Sequence, residues 1–577
     1  MNRNRGLGTS WKTTRSFPIY EVRPNSVCEA RFPLAMNIAS MILRKTKVLV
    51  FGCAAALSFC GQQSAKAATD PANLETASPS TIIRLHWLGK KNISADTNSA
   101  GLMKVWNSPE SRRLETQTLD KLASAPWRLL FGETNRASFE LFRPLMDDLA
   151  EDESYIEVRR ATNSPNVADE MVLAIRLNDQ RSALWEKNLA AAFKSLTGIA
   201  PKNFREGSHW ALKKHHAPNL IEYVRKDEWT IVGAAEDHNR LLDEIMHRIE
   251  RAHVPFVASA TNSWLDGEMN LAQLVAMTRP QWDLDLPADL PEVSFSMTGD
   301  GQRVRTRAQI HFPEALPLTL EPWTIPTNLI NGDLSSLTAL RGAGAWLLSG
   351  LWRTFETNSP PNQLYVWAVD GVPMEMYLAA PSADASNTVS RLTDFVLDKS
   401  DSWFGKAHDL AGFRRAKTFN GLEWKGVPYI FPFLKSTEAS GRSFITSGFF
   451  PLTGTNQAPP QPLIHEIQSG TNLVYCDWEL TGSRLMQWNY ITQLMRVIAR
   501  KPELSADSAG LQWLQSMSRT VDQCSTEIVR KNDREWTLRR SSSVGFTAIE
   551  LELLVGWLES PQFPAIDGWS MRSRVDH

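Results

Sequence analysis

Cysteine is scarce in this chain of 577 residues, which contains five. Cys28, Cys53 and Cys60 lie in or before the leader sequence described below, so only Cys476 and Cys524 belong to the body of the chain. Two cysteines exclude a disulfide-rich scaffold. They leave open either a single disulfide between Cys476 and Cys524 or two buried free thiols.

The common catalytic and metal-binding motifs are also missing. The sequence has no Gly-x-Ser-x-Gly nucleophile elbow, no Gly-x-x-x-x-Gly-Lys phosphate loop and no His-Glu-x-x-His zinc helix. His465 and Glu466 begin the last motif, but Ser469 stands where the second histidine is needed. We therefore predict no catalytic, cofactor or metal site, which favours a non-catalytic protein.

Apolar runs long enough to cross a membrane are absent as well, since a spanning helix needs about 20 apolar residues. The longest candidate in the body of the chain is segment 337–352, which is apolar and rich in small residues. Arg341 interrupts it. We expect a buried core helix there rather than a membrane span.

Neither sign of charge dominates the chain, which has 62 basic and 63 acidic residues. Residues 1–67 contain ten Lys or Arg and two Asp or Glu, so the remainder carries a net charge of −9. A nucleic-acid-binding protein usually shows a basic excess or a basic stripe. The composition therefore argues against a nucleic-acid partner.

A leader for export comes before the body of the chain. Arg44, Lys45 and Lys47 form a basic region, residues 48–59 form a short apolar region, and 65–67 (Ala-Lys-Ala) offer a cleavage site. We predict a signal peptide at about 41–67 and a periplasmic or extracellular location. The alternative start codons are Met1, Met36 and Met41.

Residues 57–61 (Leu-Ser-Phe-Cys-Gly) resemble a bacterial lipobox, in which the cysteine receives a lipid anchor. Phe59 departs from that pattern, because its position normally holds Gly, Ala or Ser. A lipid on Cys60 is therefore the less favoured alternative to simple cleavage after Ala67.

Strand patterns linked by hairpins, rather than by regular strand–helix–strand units, predict an α+β protein with mainly antiparallel sheets and packed helices. The clearest hairpin alternates apolar residues around the turn at Gly299 to Gly301, and its arginines face outward. One predicted helix, around 114–122, is expected to end before Pro126. A proline-rich connector separates two predicted halves, 68–320 and 321–577, which follow the leader 1–67.

The order of predicted elements recurs along the chain. Trp210 and Trp424 are 214 positions apart, Trp229 and Phe444 are 215 apart, and the last hairpin of each half is offset by about 231. Offsets that nearly agree predict two similar halves, with an internal duplication as their possible origin.

Tryptophan is abundant, with 21 residues. Most of them fall in apolar-periodic segments and are expected to fill cores. Trp282, Trp323 and Trp403 fall in loop-like contexts and are the candidates for exposed contact with sugars or lipid headgroups.

The leader, the sequence 85–90 (Leu-His-Trp-Leu-Gly-Lys) and the sequence 337–342 (Leu-Thr-Ala-Leu-Arg-Gly) together resemble exported proteins of planctomycete and verrucomicrobial type. That resemblance implies no particular activity and no functional residue. The leading hypothesis is an exported envelope protein that binds a ligand or partner without catalysis. The alternatives are a hydrolase acting on envelope polysaccharide or peptide, and a lipid-anchored structural protein.

Overall fold

A computed structural model describes residues 81–564, except for 132–135, 161–169, 199, 205–206, 212–219, 236–237, 257–262, 279–288, 348–359, 405–411, 426–430, 453–457, 499–503, 506 and 562. The predicted signal peptide and Cys60 lie outside the described residues.

The protein is α+β, and its strands form one antiparallel sheet. The first ten strands are β1 (Thr81–Trp87), β2 (Ser154–Arg159), β3 (Glu170–Arg176), β4 (Lys202–Phe204), β5 (Gly207–Ala211), β6 (Leu220–Lys226), β7 (Trp229–Ala235), β8 (Leu265–Asn270), β9 (Glu292–Gly299) and β10 (Val304–His311). They pair in the order β4-β5-β6-β7-β3-β2-β1-β8-β9-β10.

The other ten strands are β11 (Leu334–Arg341), β12 (Gln363–Val369), β13 (Met376–Pro381), β14 (Gly412–Arg415), β15 (Gly421–Lys425), β16 (Phe433–Ala439), β17 (Arg442–Gly448), β18 (Leu473–Leu480), β19 (Gln523–Arg530) and β20 (Glu535–Ser542). They pair in the order β14-β15-β16-β17-β13-β12-β11-β18-β19-β20, which is the same succession of connections. The antiparallel pair β10–β20 joins the two sets.

One lateral row of side chains crosses both sets, because residues directly opposite each other in neighbouring strands point to the same side of a sheet. The row is Gly207, Val224, Ile231, Ala174, Tyr155, His86, Asp266, Ser296, Arg307, Arg539, Glu527, Cys476, Ala339, Tyr365, Ala379, Thr446, Lys435 and Gly421. We call the side of the sheet that carries it the row face.

The helices are α1 (Lys90–Ala95), α2 (Ala100–Trp106), α3 (Pro109–Phe131), α4 (Arg136–Glu151), α5 (Asp179–Thr197), α6 (Arg240–Ala252), α7 (Leu271–Thr278), α8 (Ala343–Leu347), α9 (Ala385–Phe404), α10 (Gln461–Ser469), α11 (Thr481–Ile498), α12 (Ala509–Met517) and α13 (Ala548–Leu558), with a 3₁₀ turn at Thr97–Ser99. Most of them pack on the face opposite the row.

Two helices lie on the row face, one over each set of strands. The buried stripe of α6 packs on Ala174, Ile231 and Val224, and α10 packs on Tyr365 and Ala379. Full burial of a large aliphatic side chain contributes about 1.5–3 kcal/mol. The central strands β9, β10, β20 and β19 therefore lie between two separately anchored helices.

The hairpin predicted around Gly299 to Gly301 is confirmed. Val293 and Phe295 are buried, and the Asp300 carboxylate accepts hydrogen bonds from the backbone N–H groups of Gln302 and Arg303, at 3.1 and 2.7 Å. Gly301 has a φ of 93°, which a residue with a Cβ rarely adopts. The turn thus fixes which residues of β10 face each way.

The prediction that a helix ends before Pro126 is wrong. Helix α3 continues to Phe131 with Pro126 inside it. A proline costs its helix one backbone hydrogen bond. Here Ala123, Ala125 and Trp127 are buried around it, so tertiary packing outweighs the local preference.

The expectation of a core helix over 337–352 is also wrong for its first part. Residues up to Arg341 belong to the central strand β11, and Gly342, with a φ of 72°, separates that strand from the short helix α8. A short apolar run does not by itself distinguish a buried strand from a buried helix. Across the described residues, no helix is long and apolar enough to span a bilayer.

Candidate ligand-binding face

The row face of the four central strands is polar and accessible. In each strand the alternate residues point to the opposite face, where the apolar ones pack beneath α7 and α8 and Thr306, Thr526 and Arg540 are buried polar residues. The accessible polar side chains, which we call the polar platform, are Ser294, Thr298, Arg305, Arg307, Gln309, Ser525, Glu527, Thr537 and Arg539. Period-two alternation therefore gives these strands one core side and one solvent side.

The platform is extended rather than pocket-shaped. Asp266 and Glu527, at its two sides, are four strand spacings apart in the row, which is about 19 Å. Each central strand has eight residues, a length of about 27 Å. Both edges of β10 and of β20 are already paired, so a ligand meets side chains and not free backbone groups.

Arg307 and Arg539 lie directly opposite each other at the junction of the two strand sets. We call them the arginine pair. Arg539 is exposed and Arg307 is half-buried. Burial, together with the charges of Arg539 and Arg305, lowers the pKa of Arg307 to about 10. At neutral pH the platform therefore holds two adjacent positive charges.

No carboxylate in the described part of the chain forms an ion pair with either member of the arginine pair, and the Arg307 Nε atom is buried without a hydrogen-bond partner. By contrast, neighbouring Arg305 is held by Asp300, with an Nη2–Oδ2 distance of 2.6 Å. The arginine pair thus differs from Arg305 in forming no ion pair, although Glu527 lies beside Arg539 in the row.

A carboxyl pair borders the platform on the β19 side. Glu527 lies beside Arg539 in the row, and Glu466 of α10 hydrogen-bonds with it. Burial and the charge of Glu466 raise the pKa of Glu527, while the charge of Arg539 lowers it. The Glu466 carboxyl is close enough to Glu527 to raise its pKa, whereas glycosidase pairs stand about 5–10 Å apart around the substrate.

A buried ionic cluster borders the platform on the β8 side. His86 Nε2 is 2.8 Å from Glu153 Oε1, and His86 Nδ1 is 3.8 Å from Asp266 Oδ2. Burial lowers the pKa of His86, but the neighbouring carboxylates of Asp266 and Glu153 raise it further, to about 9. The imidazole is therefore cationic at neutral pH and unsuited to act as a general base.

The same ionic cluster extends along β1, β2 and β8 beneath α6. Arg84 Nη2 pairs with Glu268 Oε1 at 2.5 Å and its guanidinium lies 5.1 Å from the Phe256 ring centroid. Fully buried Glu157 accepts from Arg248 at 2.9 Å. Burial raises the pKa of Glu157, but the charge of Arg248 lowers it below its usual value. These ion pairs and the contact with the Phe256 ring hold the side chains at this border of the platform in place.

A second ionic cluster lies on the opposite face, beneath α11 and α13, and no ligand on the platform can reach it. Arg540 forms a bidentate pair with Glu550, at 2.8 and 3.0 Å. Glu479 accepts from the Ala548 backbone N–H at 2.7 Å. Burial and the charge of Asp477 raise the pKa of Glu479 to about 7.

The two cysteines are free, buried thiols, the second of the two alternatives that the sequence left open. Cys476 is opposite Glu527, whereas Cys524 is opposite Glu479, so the cysteines are three residues out of register, about 10 Å along the strands, and on different faces. A disulfide cannot span that separation. Burial raises the pKa of both thiols, which makes them poor nucleophiles.

Of the three candidate tryptophans, only Trp323 has a side chain among the described residues. Trp323 is half-buried, with its ring 4.5 Å from the Arg341 guanidinium, and its role as a contact for sugars or lipid headgroups stays a prediction. Trp403 lies in helix α9 and not in a loop, and its side chain is outside the described residues, as is all of Trp282. Trp478, which we did not single out, lies two residues beyond Cys476 on the row face.

Within the described ranges, no group of three or more His, Cys, Asp or Glu residues could hold a metal ion. The sequence indicated the outward arginines of β10, but it gave no reason to combine them with Arg539. Comparison of the chain with protein-family models, curated proteins and solved structures found no match.

Proposed function

We propose that the protein is an exported envelope protein that binds an extended polar ligand on the polar platform and carries out no catalysis. The observation that carries this proposal is the accessibility of a polar surface between α6 and α10, on strands whose other side is packed core. Ligands commonly bind where two structural units meet, and β10 and β20 meet in the middle of the platform.

The state of the ionisable groups supports binding rather than hydrolysis. His86 is held as a cation by two carboxylates. Cys476 and Cys524 are buried thiols, and Glu466 and Glu527 are in mutual contact. A hydrolase would need a neutral base, an activated nucleophile or separated carboxyl groups. The hydrolase alternative lacks such a group on the platform among the described residues.

The two sets of strands descend, in this proposal, from an internal duplication. Each set has the same succession of pairings, and the row places Tyr155 and Tyr365 at corresponding positions on either side of the junction. Gly207 and Gly421 also correspond, and a Cβ on either glycine would lie within about 2 Å of a carbonyl oxygen of the neighbouring strand. These positions are 210 and 214 residues apart.

Corresponding glycines also follow β1 and β11, which occupy the same place in the two sets of strands. Gly89 follows β1 and Gly342 follows β11, each with a positive φ, of 88° and 72°. The sequences that suggested the family resemblance, 85–90 and 337–342, therefore occupy corresponding places. An experimental structure in which the two sets do not superpose with these residues matched would overturn the duplication.

Export remains part of the proposal, because the protein can reach a ligand of the cell envelope only outside the cytoplasm. Mass spectrometry of the protein from cell fractions tests it. We expect an N-terminus at Ala68 in the envelope or medium, whereas a lipid on Cys60 would support the lipid-anchored alternative. An intact chain in the cytosol would contradict export, and with it the relation to planctomycete and verrucomicrobial exported proteins.

Two matched variants test the binding surface. Gln309→Trp places an indole on the platform, and Gln515→Trp places one at an exposed position of α12 over the other face. We expect polysaccharide extracted from cell envelopes to bind the wild type and Gln515→Trp equally, and Gln309→Trp at least tenfold more weakly. Binding that Gln309→Trp leaves unchanged would show that the platform is not the site.

A further inference from the structure

We infer that the ligand is an acidic polysaccharide and that the arginine pair binds one of its sulfate or carboxylate groups. This inference rests on the proposed function. The arginine pair supplies two guanidinium groups from strands on either side of the junction. A guanidinium presents donors in a planar fork that matches an oxyanion bidentately. One anionic group between them would neutralise the repulsion of the two cations.

The absence of a counter-ion points to an anion from outside the chain. Like charges directly opposite each other in an antiparallel pair destabilise it. Two other arginines near the junction do have carboxylate partners: Asp300 holds Arg305, and Glu550 holds Arg540 on the opposite face. Neither Arg307 nor Arg539 forms an ion pair with a carboxylate in the described part of the chain, although Glu527 lies beside Arg539 in the row.

The surroundings of the arginine pair favour a carbohydrate over other anions. Hydroxyl and amide side chains flank it, namely Ser294, Thr298, Gln309, Ser525 and Thr537. These groups both donate and accept hydrogen bonds, as sugar hydroxyls do. Trp478 lies on the same face at the β18 border, where an indole can pack against a sugar ring.

An acidic peptide or a nucleic acid fits the platform less well. An extended peptide typically adds to a free sheet edge, but β10 and β20 are paired on both sides. The chain after the leader has a net charge of −9, which disfavours a nucleic acid. The net negative charge opposes every polyanion, so binding of an acidic polysaccharide depends on the arginine pair and the hydroxyl and amide side chains around it.

Titration of the purified protein with dextran sulfate, polygalacturonate, neutral dextran and a single-stranded oligonucleotide tests the inference. We expect the two acidic polysaccharides to bind and the other two probes not to. Arg307→Gln and Arg539→Gln should each weaken dextran sulfate binding about tenfold, the loss expected for one charge-assisted hydrogen-bonding group. The control Arg519→Gln removes an exposed charge on the opposite side of the sheet and should change binding less than twofold.

The outcomes separate this inference from the proposed function. If neutral dextran binds as tightly as dextran sulfate and Gln309→Trp blocks both, the platform binds glycans but the anion inference is wrong. If Arg307→Gln and Arg539→Gln bind dextran sulfate like the wild type, or if only the oligonucleotide binds, the inference is overturned. Arg539→Lys retains the charge without the fork, so an intermediate loss supports oxyanion recognition even if a glutamine variant fails to fold.

Discussion

Arg307 and Arg539 face each other across the antiparallel pair β10–β20, with 231 residues of chain between them. The two strands come from sets with the same succession of pairings. The pair therefore marks the point where the two sets join, and it places two positive charges at the centre of the polar platform. Because two like charges opposite each other destabilise the folded protein, we attribute their presence at this junction to a function.

Removing one charge of the arginine pair should stabilise the ligand-free protein. For Arg539→Gln we expect the free energy of unfolding to rise by about 0.2–1 kcal/mol, because a like-charge cross-strand pair is lost. Urea denaturation at low salt measures it. Arg519→Gln, the charge-matched control, should stay within about 0.5 kcal/mol of the wild type. A destabilised Arg539→Gln would show that the attraction between Arg539 and Glu527 outweighs the repulsion between Arg539 and Arg307.

The His86 cluster should make stability fall as pH rises above neutrality. The pKa of His86 is about 9 in the folded protein against 6.5 for the free side chain, so the folded state binds the proton more tightly. The stabilisation is complete below pH 6.5 and is lost as the pH approaches 9. Unfolding followed across this range should show the decrease.

His86→Gln should abolish that decrease and destabilise the protein by about 3 kcal/mol, since it leaves the Asp266 and Glu153 carboxylates without their cation. The control His465→Gln changes an exposed histidine of α10 and should preserve the wild-type profile. An unaltered profile in His86→Gln would mean that another group causes it.

Glu479 should make stability fall with rising pH in a lower range. Its pKa is about 7 in the folded protein against a usual 4.5, so folding favours the protonated carboxyl. Stability is greatest below pH 4.5 and falls as the pH rises towards 7, by up to about 1.4 kcal/mol per unit for this group. Glu479→Gln should flatten the slope between pH 5 and 6.5, whereas the exposed control Glu314→Gln should not. Equal slopes in all three proteins would refute the assignment.

Cys476 and Cys524 should remain thiols even after export into an oxidising compartment. They lie on different faces of the sheet and out of register. We expect no reaction with a thiol reagent in the native protein and two reacting thiols after denaturation. A native mass two daltons below the value for the free thiols would mean that a disulfide forms after all.

Local patterns in the sequence predicted much of the fold. The alternation around Gly299 to Gly301 identified the hairpin β9–β10, and the offsets from Trp210 and Trp229 agree with the register of the row. These features depend on neighbouring residues or on the similarity of two segments, so they can be read from the sequence. The outward direction of Arg305 and Arg307 follows from the same alternation.

The features that depend on contacts between residues far apart in sequence could not be predicted from local patterns. Nothing local pairs Arg307 with Arg539 or brings His86 to Asp266, because only the assembled sheet makes these residues neighbours. Pro126 remained inside a helix because buried residues surround it. The segment around Arg341 became a strand because β12 and β18 flank it.

A double-mutant cycle in ligand binding tests the central claim most directly. Dextran sulfate affinities would be measured for the wild type, Arg307→Gln, Arg539→Gln and the double variant. If the arginine pair shares one anionic group, the second substitution should cost less than the first, with a coupling of about 0.5–3 kcal/mol. Independent losses that add fully, or no loss in any variant, would contradict recognition of a common anion by the arginine pair.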